Sequence, residues 1–250
     1  MTTGGTLLAI PGAPPVEIFD TLDSTNAEGH RRIATGTAAD RWIVARQQTG
    51  GRGRRGRTWV SEPGNLYASR IVSPRAPVAR MPELSFVTGL AAYDAVAAHL
   101  DPAHGPIACK WPNDVLVKRR KVAGILLEGE GVSGWLTIGI GINVMSAPEG
   151  VEFPATSLRA EGASPELTDV IVSLVTAFER WYEIWRRDGF APIREAWKSR
   201  AAGIGDTIRV RLESRELTGV FQDIAEDGAL LLQLPNGVQE RIAAGDVFFR

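Results

Sequence analysis

Between Leu167 and Trp185 the apolar positions Leu167, Val170, Ile171, Leu174, Val175, Phe178, Trp181, Tyr182 and Trp185 keep a 3.6-residue period, which predicts one long amphipathic helix over 166–188. A second helix is expected over 82–100, with Leu84, Val87 and Ala91 at core spacing. Short runs rich in β-branched and aromatic residues read as strands at 16–19, 42–46, 66–72 and 107–110. Segments 115–118 and 122–130 flank Arg119-Arg120-Lys121 and have the form of a hairpin with a basic tip. The run 135–144 is another strand, interrupted by Gly139 and Gly141; such glycines mark a plain bulge or the close approach of a ligand or another backbone. Thr25 followed by Glu28 is a capping-box pattern, so a helix should cover Asn26 to about Thr35, and its free N–H groups could also receive polar ligand atoms. Residues 1–15 read as a loose lead-in. After Gly203 the pattern becomes four short strands, 207–212, 217–223, 229–234 and 238–242, punctuated by Asp227-Gly228 and Pro235-Asn236-Gly237 turns. That segment predicts a small barrel, giving two domains, 1–202 and 203–250.

Composition narrows the function classes. With 250 residues, 44% of them hydrophobic, the chain can bury a sizeable core. Its 29 acids against 28 bases argue against a surface built for nucleic acid. The single cysteine, Cys109, excludes an internal disulfide, and His30, His99 and His104 do not fall at metal-ligand spacing. No apolar run reaches the length of a membrane span and residues 1–15 lack the form of a secretory signal, so a cytoplasmic protein is expected.

Against this near neutrality, residues 41–61 carry six arginines and no acid, with glycines at 50, 51, 53 and 56. Glycine lets backbone lie close to a ligand, and guanidinium forks match carboxylate and phosphate oxygens, so this loop is suited to anions. Gly51-x-Gly53-x-x-Gly56 matches a dinucleotide fingerprint in form, yet no helix opens there and no acid follows about 20 residues on. A phosphate-binding P-loop is excluded because no Gly-Lys-Ser or Gly-Lys-Thr follows. A solvated basic loop or an RNA-contacting patch remains open. No serine, histidine and carboxylate set suggests covalent catalysis. The loop, Lys121, the Asn113-Asp114 turn and the glycine-lined strand suit a reaction that joins two anions, such as a carboxylate attacking the α-phosphate of ATP, with arginines and Mg²⁺ neutralising repulsion. Read by themselves, the residues reach an anionic ligand, with a nucleotide favoured.

Seven motifs in one order go further: Ser24-Thr25-Asn26, the loop from Gly51 to Arg57 followed by Trp59, Asn65-Leu66-Tyr67, Lys110-Trp111-Pro112-Asn113-Asp114, Lys121 to Ile125, Gly139 to Asn143, and Ala155-Thr156-Ser157-Leu158. In these the chain resembles biotin protein ligases, and nearly its whole length is covered. The resemblance implies an α+β fold, a mixed β-sheet flanked by helices of the class II aminoacyl-tRNA synthetase and biotin ligase type, with an SH3-like barrel at the C-terminal end. It implies a ligase that makes biotinyl-5′-AMP from biotin and ATP and passes biotin to a lysine of a biotin carboxyl carrier protein. By the same motifs, Ser24, Thr25, Asn26, Gln48, Gly51, Trp59, Gly124, Gly139 and Gly141 would bind biotin. Lys121, Arg52 and Arg54 would serve both biotin and the chemistry. Arg52, Arg54, Arg55, Arg57, Trp59, Lys110, Asn113, Asp114 and Asn143 would hold ATP, with Mg²⁺ carried mainly by the phosphates and a further position near Asp114. Gly50 stands where relatives often have alanine. The first motif begins too early for an N-terminal winged helix-turn-helix, so no specific DNA binding is expected; a homodimer is compatible with the family. The related alternative is a lipoate or octanoate ligase. The loop is expected to be disordered or open without ligand and ordered over biotinyl-AMP.

Overall fold

The computed structural model describes residues 5–129 and 134–249. Strand β1 (Thr6–Leu8) pairs antiparallel with β2 (Val16–Leu22) at one edge of the main sheet. Helix α1 (Thr25–Ala34) then crosses over and returns β3 (Arg41–Gln48) parallel to β2, as a helical crossover requires. Strand β4 (Leu66–Val72), helix α2 (Glu83–Ala97) and strands β5 (Ile107–Lys110), β6 (Asp114–Val117), β7 (Arg120–Gly129) and β8 (Leu136–Ile142) follow. They complete an eight-stranded mixed sheet in the order β1-β2-β3-β4-β8-β7-β6-β5. Helices α3 (Leu167–Asp188) and α4 (Phe190–Lys198) lead to β9 (Thr207–Arg211), β10 (Glu216–Ile224), β11 (Leu230–Gln233), β12 (Gln239–Ile242) and β13 (Asp246–Phe249). These five pair antiparallel in the order β12-β11-β10-β9-β13, the small SH3-like unit.

Strand β3 shows why helices cover both faces. Trp42, Ile43, Val44 and Ala45 are all fully buried, and successive strand side chains point to opposite faces. Ile43 and Ala45 join Phe19, Leu22, Ile33 and Ile71 in a cluster on the face that α1 covers. Trp42 and Val44 belong to the larger core shared with α2, α3 and α4, where the Trp42 ring meets Phe178 edge-on at 5.1 Å. Among the described residues no helix is long and apolar enough to cross a membrane.

Several expectations shift. Strand β1 lies in the supposed lead-in; residues 1–4 of that lead-in, and Glu130 of the expected strand 122–130, lie outside the described residues. Helix α4 was hidden behind the α3 pattern: Gly189, with φ +79°, breaks the helix, and Phe190, Ile193 and Trp197 start a new buried stripe. Strand β13 adds a fifth strand to the barrel. Ser24, not Thr25, caps α1, its Oγ accepting from the Ala27 N–H at 3.4 Å. Glu28 bonds Arg31 and Arg32 instead of closing a capping box. The β6–β7 hairpin turns at Lys118 and Arg119, with φ +49° and +63°, pairing Val117 with Arg120. A two-residue turn with both φ positive fits strand twist, so Lys121 stands within β7 and not at the basic tip.

Candidate active site

A cleft of about 380 Å³ lies over β7 and β8, between the start of α1, the 49–61 loop, the 148–155 segment and β13. Of the residues expected from the sequence to hold biotin or ATP or to serve the chemistry, all line it except Gly51 and Arg55. Gly51 lies beneath the loop, where a Cβ would come 2.5 Å from the Trp59 carbonyl oxygen and 2.4 Å from Ser61 Oγ. Arg55 faces away toward the barrel.

One half of the cleft is apolar. The Trp59 ring rests on β7 and β8: a Cβ at Gly141 would stand 2.5 Å from it, and one at Gly124 would stand 2.7 Å away. A Cβ at Gly139 would meet Asn26 Oδ1 at 2.5 Å. The glycines in β8 therefore admit the side chains of Trp59 and Asn26, so what approaches closely here is side chain and not the ligand or second backbone expected from the sequence.

The other half is cationic. Lys121 Nζ lies 2.7 Å from Asp114 Oδ1 and 5.1 Å from the Trp59 ring centroid, at the border between the halves. Its backbone is strapped in place: Lys121 N–H donates to Pro154 O at 2.7 Å, and Lys121 O accepts from Thr156 N–H at 2.9 Å. Asn143, 3% exposed, donates to Thr156 O at 3.0 Å, which ties the Ala155-Thr156 segment to the end of β8 as well. Arg54 Nη1 donates to Asn113 Oδ1 at 2.9 Å, and burial lowers the guanidinium pKa against the pull of Asp246 and Asp114. Burial likewise lowers the pKa of Lys110, whose Nζ lies 4.2 Å over Phe153. Tyr67 donates to Glu62 O at 2.6 Å, and burial pushes its phenol up to about 12.

The arginine-glycine loop is a small hairpin. Trp59 N–H donates to Gly51 O at 3.0 Å, Arg52 bridges Thr58, and Gly53 N–H donates to Arg57 O at 2.7 Å. Its arginines reach the barrel: Arg57 Nη2 and Arg55 Nη1 lie 3.0 and 3.2 Å from the two oxygens of Asp246, and Arg211 Nη2 is 3.2 Å from one of them. Burial alone would raise the Asp246 carboxyl, but Arg57, Arg211 and Arg55 outweigh it and hold the pKa below the usual range.

At the start of α1, Thr25 N–H donates to Gln48 Oε1 at 2.8 Å, and Gln48 Nε2 donates to Ser61 Oγ at 3.0 Å. Asn26 Nδ2 donates to Glu128 Oε2 at 2.7 Å. Asp246, Phe153, Ser61, Ser69 and Glu128 were not anticipated from the sequence. Glu128 could have been found, being the one acid in the apolar run of β7; Asp246 carries no local signal. Asn65 is structural, its Oδ1 accepting from the N–H groups of Val144, Met145 and Ser146 at 2.9, 2.8 and 3.1 Å.

Among the described residues no group of three or more His, Cys, Asp or Glu side chains could hold a metal. Asp114, the carboxylate considered for Mg²⁺, is paired with Lys121. A cation would therefore be held chiefly by ligand phosphates, as Mg²⁺ commonly is.

Comparison with known proteins gives concordant matches. Residues 18–144 match the biotin/lipoate A/B protein ligase family, and 203–250 match the biotin protein ligase C-terminal domain. The biotin–[acetyl-CoA-carboxylase] ligase of Paracoccus denitrificans is 43% identical over 237 residues, covering 91% of this chain and 97% of that protein. Biotin protein ligase from Aquifex aeolicus, solved in complex with biotin and ATP, superposes with a TM-score of 0.80 at 27% identity, covering 94% of this chain and 98% of that one. The Leishmania major enzyme, solved with biotinyl-5-AMP, gives a TM-score of 0.66 at 28% identity, with coverage of 94% and 100%.

Proposed function

This chain belongs to the biotin/lipoate A/B protein ligase family, and from that premise we propose how its cleft works. It is an ATP-dependent biotin–[acetyl-CoA-carboxylase] ligase. A biotin carboxylate oxygen attacks the α-phosphorus of ATP and pyrophosphate leaves; the amine of a carrier lysine then attacks the acyl carbon of biotinyl-5′-AMP and AMP leaves. The observation that carries the site assignment is Lys121, whose ammonium stands where the glycine-walled half meets the cationic half, 2.7 Å from Asp114. An arriving carboxylate and α-phosphate can take the place of Asp114 as its counter-ions, so that fixed positive charge meets the charge that develops during attack. Arg54 and Arg52 act with it. The ring system of biotin lies toward Ser24, Thr25, Asn26 and Gln48, against Trp59 and the walls at Gly124, Gly139 and Gly141. Gly51 permits the loop to fold beneath Trp59. Lys110, Asn113, Asp114 and Asn143 face the nucleotide, with Arg57 and Arg55 reached from the loop, and Mg²⁺ arrives on the phosphates.

The carrier that accepts biotin is the carboxylase's carrier domain. The segment 203–250 acts as a domain that completes the cleft, and 1–202 supplies its floor. Cytoplasmic residence accords with the buried thiol of Cys109, whose pKa burial raises. We further propose that the described chain makes no sequence-specific DNA contact, since α1 packs on the sheet and α2, α3 and α4 pack on one another. Pyrophosphate exchange into ATP decides the substrate. Exchange with biotin is expected, lowered by about 10²–10³ in Lys121→Ala and Arg54→Ala. Exchange with lipoate but not biotin would overturn the biotin reading, whereas unaltered activity of both variants would overturn only the residue roles.

A further inference from the structure

Lys121 stands where β7 runs past the end of its neighbour. The β7–β8 ladder ends with Ala123 opposite Ile142, so Lys121 has no partner in β8. On the β6 side the register slips between Val115, opposite Ala123, and Leu116, opposite Lys121. Val122 is thus the extra residue of a bulge, a feature that re-aims the side chains beside it. The 154–156 segment fills the place that β8 leaves: it meets Lys121 at Ala155 in parallel register and bonds both the N–H and the C=O of Lys121. The aim of the Lys121 side chain therefore depends on what holds that segment. Besides Asn143, one group does so from behind, the carboxylate of Glu161, whose side chain is 1% exposed. Its Oε1 accepts from Thr156 Oγ1 at 2.6 Å and from the guanidinium of Arg120, the residue before Lys121. A single oxygen thus joins segment and strand on either side of the Lys121 bridge. The other oxygen lies 2.8 Å from His104 Nε2 and 3.2 Å from Lys118 Nζ. A buried carboxylate is costly unless its lone pairs are filled, and here charged or hydroxyl donors reach both oxygens.

We propose that Glu161 is a positioning residue for Lys121: by tying Thr156 to Arg120 it keeps the 154–156 segment in the place of a strand and the Lys121 ammonium aimed at the border of the two halves of the cleft. The proposal rests on the role given to Lys121 above. Glu161 does not line the cleft and acts only through these backbone bonds. A charge that stabilises the attack must stand where the new charge develops, so an error in its aim costs rate before it costs binding. Lys118 and His104 fasten the same carboxylate to the hairpin turn and to the short helical turn at 102–104, which serves the fold alone. Kinetics separate the two roles.

The test is pyrophosphate exchange with biotin and ATP varied in turn, together with the melting temperature. Glu161→Gln keeps the shape but gives up the charge, and Thr156→Val removes one hydroxyl while leaving the carboxylate its other partners. In each, kcat should fall about tenfold while the KM values for biotin and ATP stay within about twofold. Lys121→Ala/Glu161→Gln and Lys121→Ala/Thr156→Val should be no slower than Lys121→Ala, because no ammonium is left to aim. Wild-type kcat in both single variants overturns the proposal even if the melting temperature falls, since that marks an anchor of the fold alone. A further loss in the double variants overturns it too, as does a rise in either KM with kcat kept. If Glu161→Gln does not fold, Thr156→Val decides. Unaltered exchange in Lys121→Ala overturns the role of Lys121 and the proposal with it, whereas a loss in Lys121→Ala beside intact single variants overturns the proposal only.

Discussion

Gly141 and Trp59 define the apolar half by direct contact. A methyl group at Gly141 would lie 2.5 Å from the indole, so Gly141→Ala must tilt Trp59 off β8. Steady-state kinetics should show a KM for biotin raised about tenfold with the ATP term kept, a small cost for a ring that must move in a packed site. An equal loss for both substrates would mean that the ring does not mark the biotin side. Gly139 and Gly141 were legible because each interrupts a strand pattern, where a missing Cβ is visible locally; Lys121 read as part of the basic hairpin tip, and only the motif from Lys121 to Ile125 set it apart. Asp246 was not legible: its partners Arg55 and Arg57 stand 191 and 189 residues away, and charge pairing at that separation leaves no periodic trace. Ser69 was also hidden, since a serine in a β-strand reads as ordinary until its neighbours are known.

The arginine-glycine loop behaves as an element fastened at its tip. Three arginines converge on Asp246, which is 7% exposed; Arg211 also pairs with Glu152, so removing the Asp246 carboxylate leaves Arg55 and Arg57 of the loop without the acid they share. In Asp246→Asn, hydrogen exchange at the amides of 52–58 should accelerate while β7 and β8 stay protected. Bound biotinyl-AMP, whose phosphate offers the loop another anion, should restore part of that protection; a loop equally protected in both proteins without ligand would refute the fastening. The run of arginines announced an anion-binding loop, and its anchor in the barrel could not be read from it. The long helix α3 was the opposite case, because its stripe of Val170, Leu174, Phe178 and Trp185 is contained within its own span.

For the whole molecule, depressed carboxylates set the acid limit. Asp23 is held down to about 2, first by hydrogen bonds from Arg31, which outweigh its burial. Burial would raise Glu161, but hydrogen bonds from Thr156, His104 and Lys118 and the charge of Arg120 hold it below the usual range. Groups held low in the folded state stabilise it fully above their ordinary values of 3.8 and 4.5, and that stability is lost as pH falls through the folded values. The melting temperature should therefore stay level down to the ordinary glutamate value and fall steeply toward the value of Asp23; a decline beginning near neutrality would contradict this. The strand and helix patterns, and the change to short strands after Gly203, made the two-part architecture readable, whereas the packing of one part on the other rests on a shared core and on bonds between residues far apart in the sequence. Trp111 Nε1, next to Lys110 in the cleft, donates to Gly228 O of the barrel at 3.0 Å, and Asp246 reaches the loop from the same side. The barrel thus supplies Asp246 and Val247 to the wall of the cleft, and the chain crosses into it once, at 203–206. A chain cut there should yield two fragments that are silent apart and recover ligase activity when brought together, so that two proteins carrying them would leave a biotin mark only where they meet.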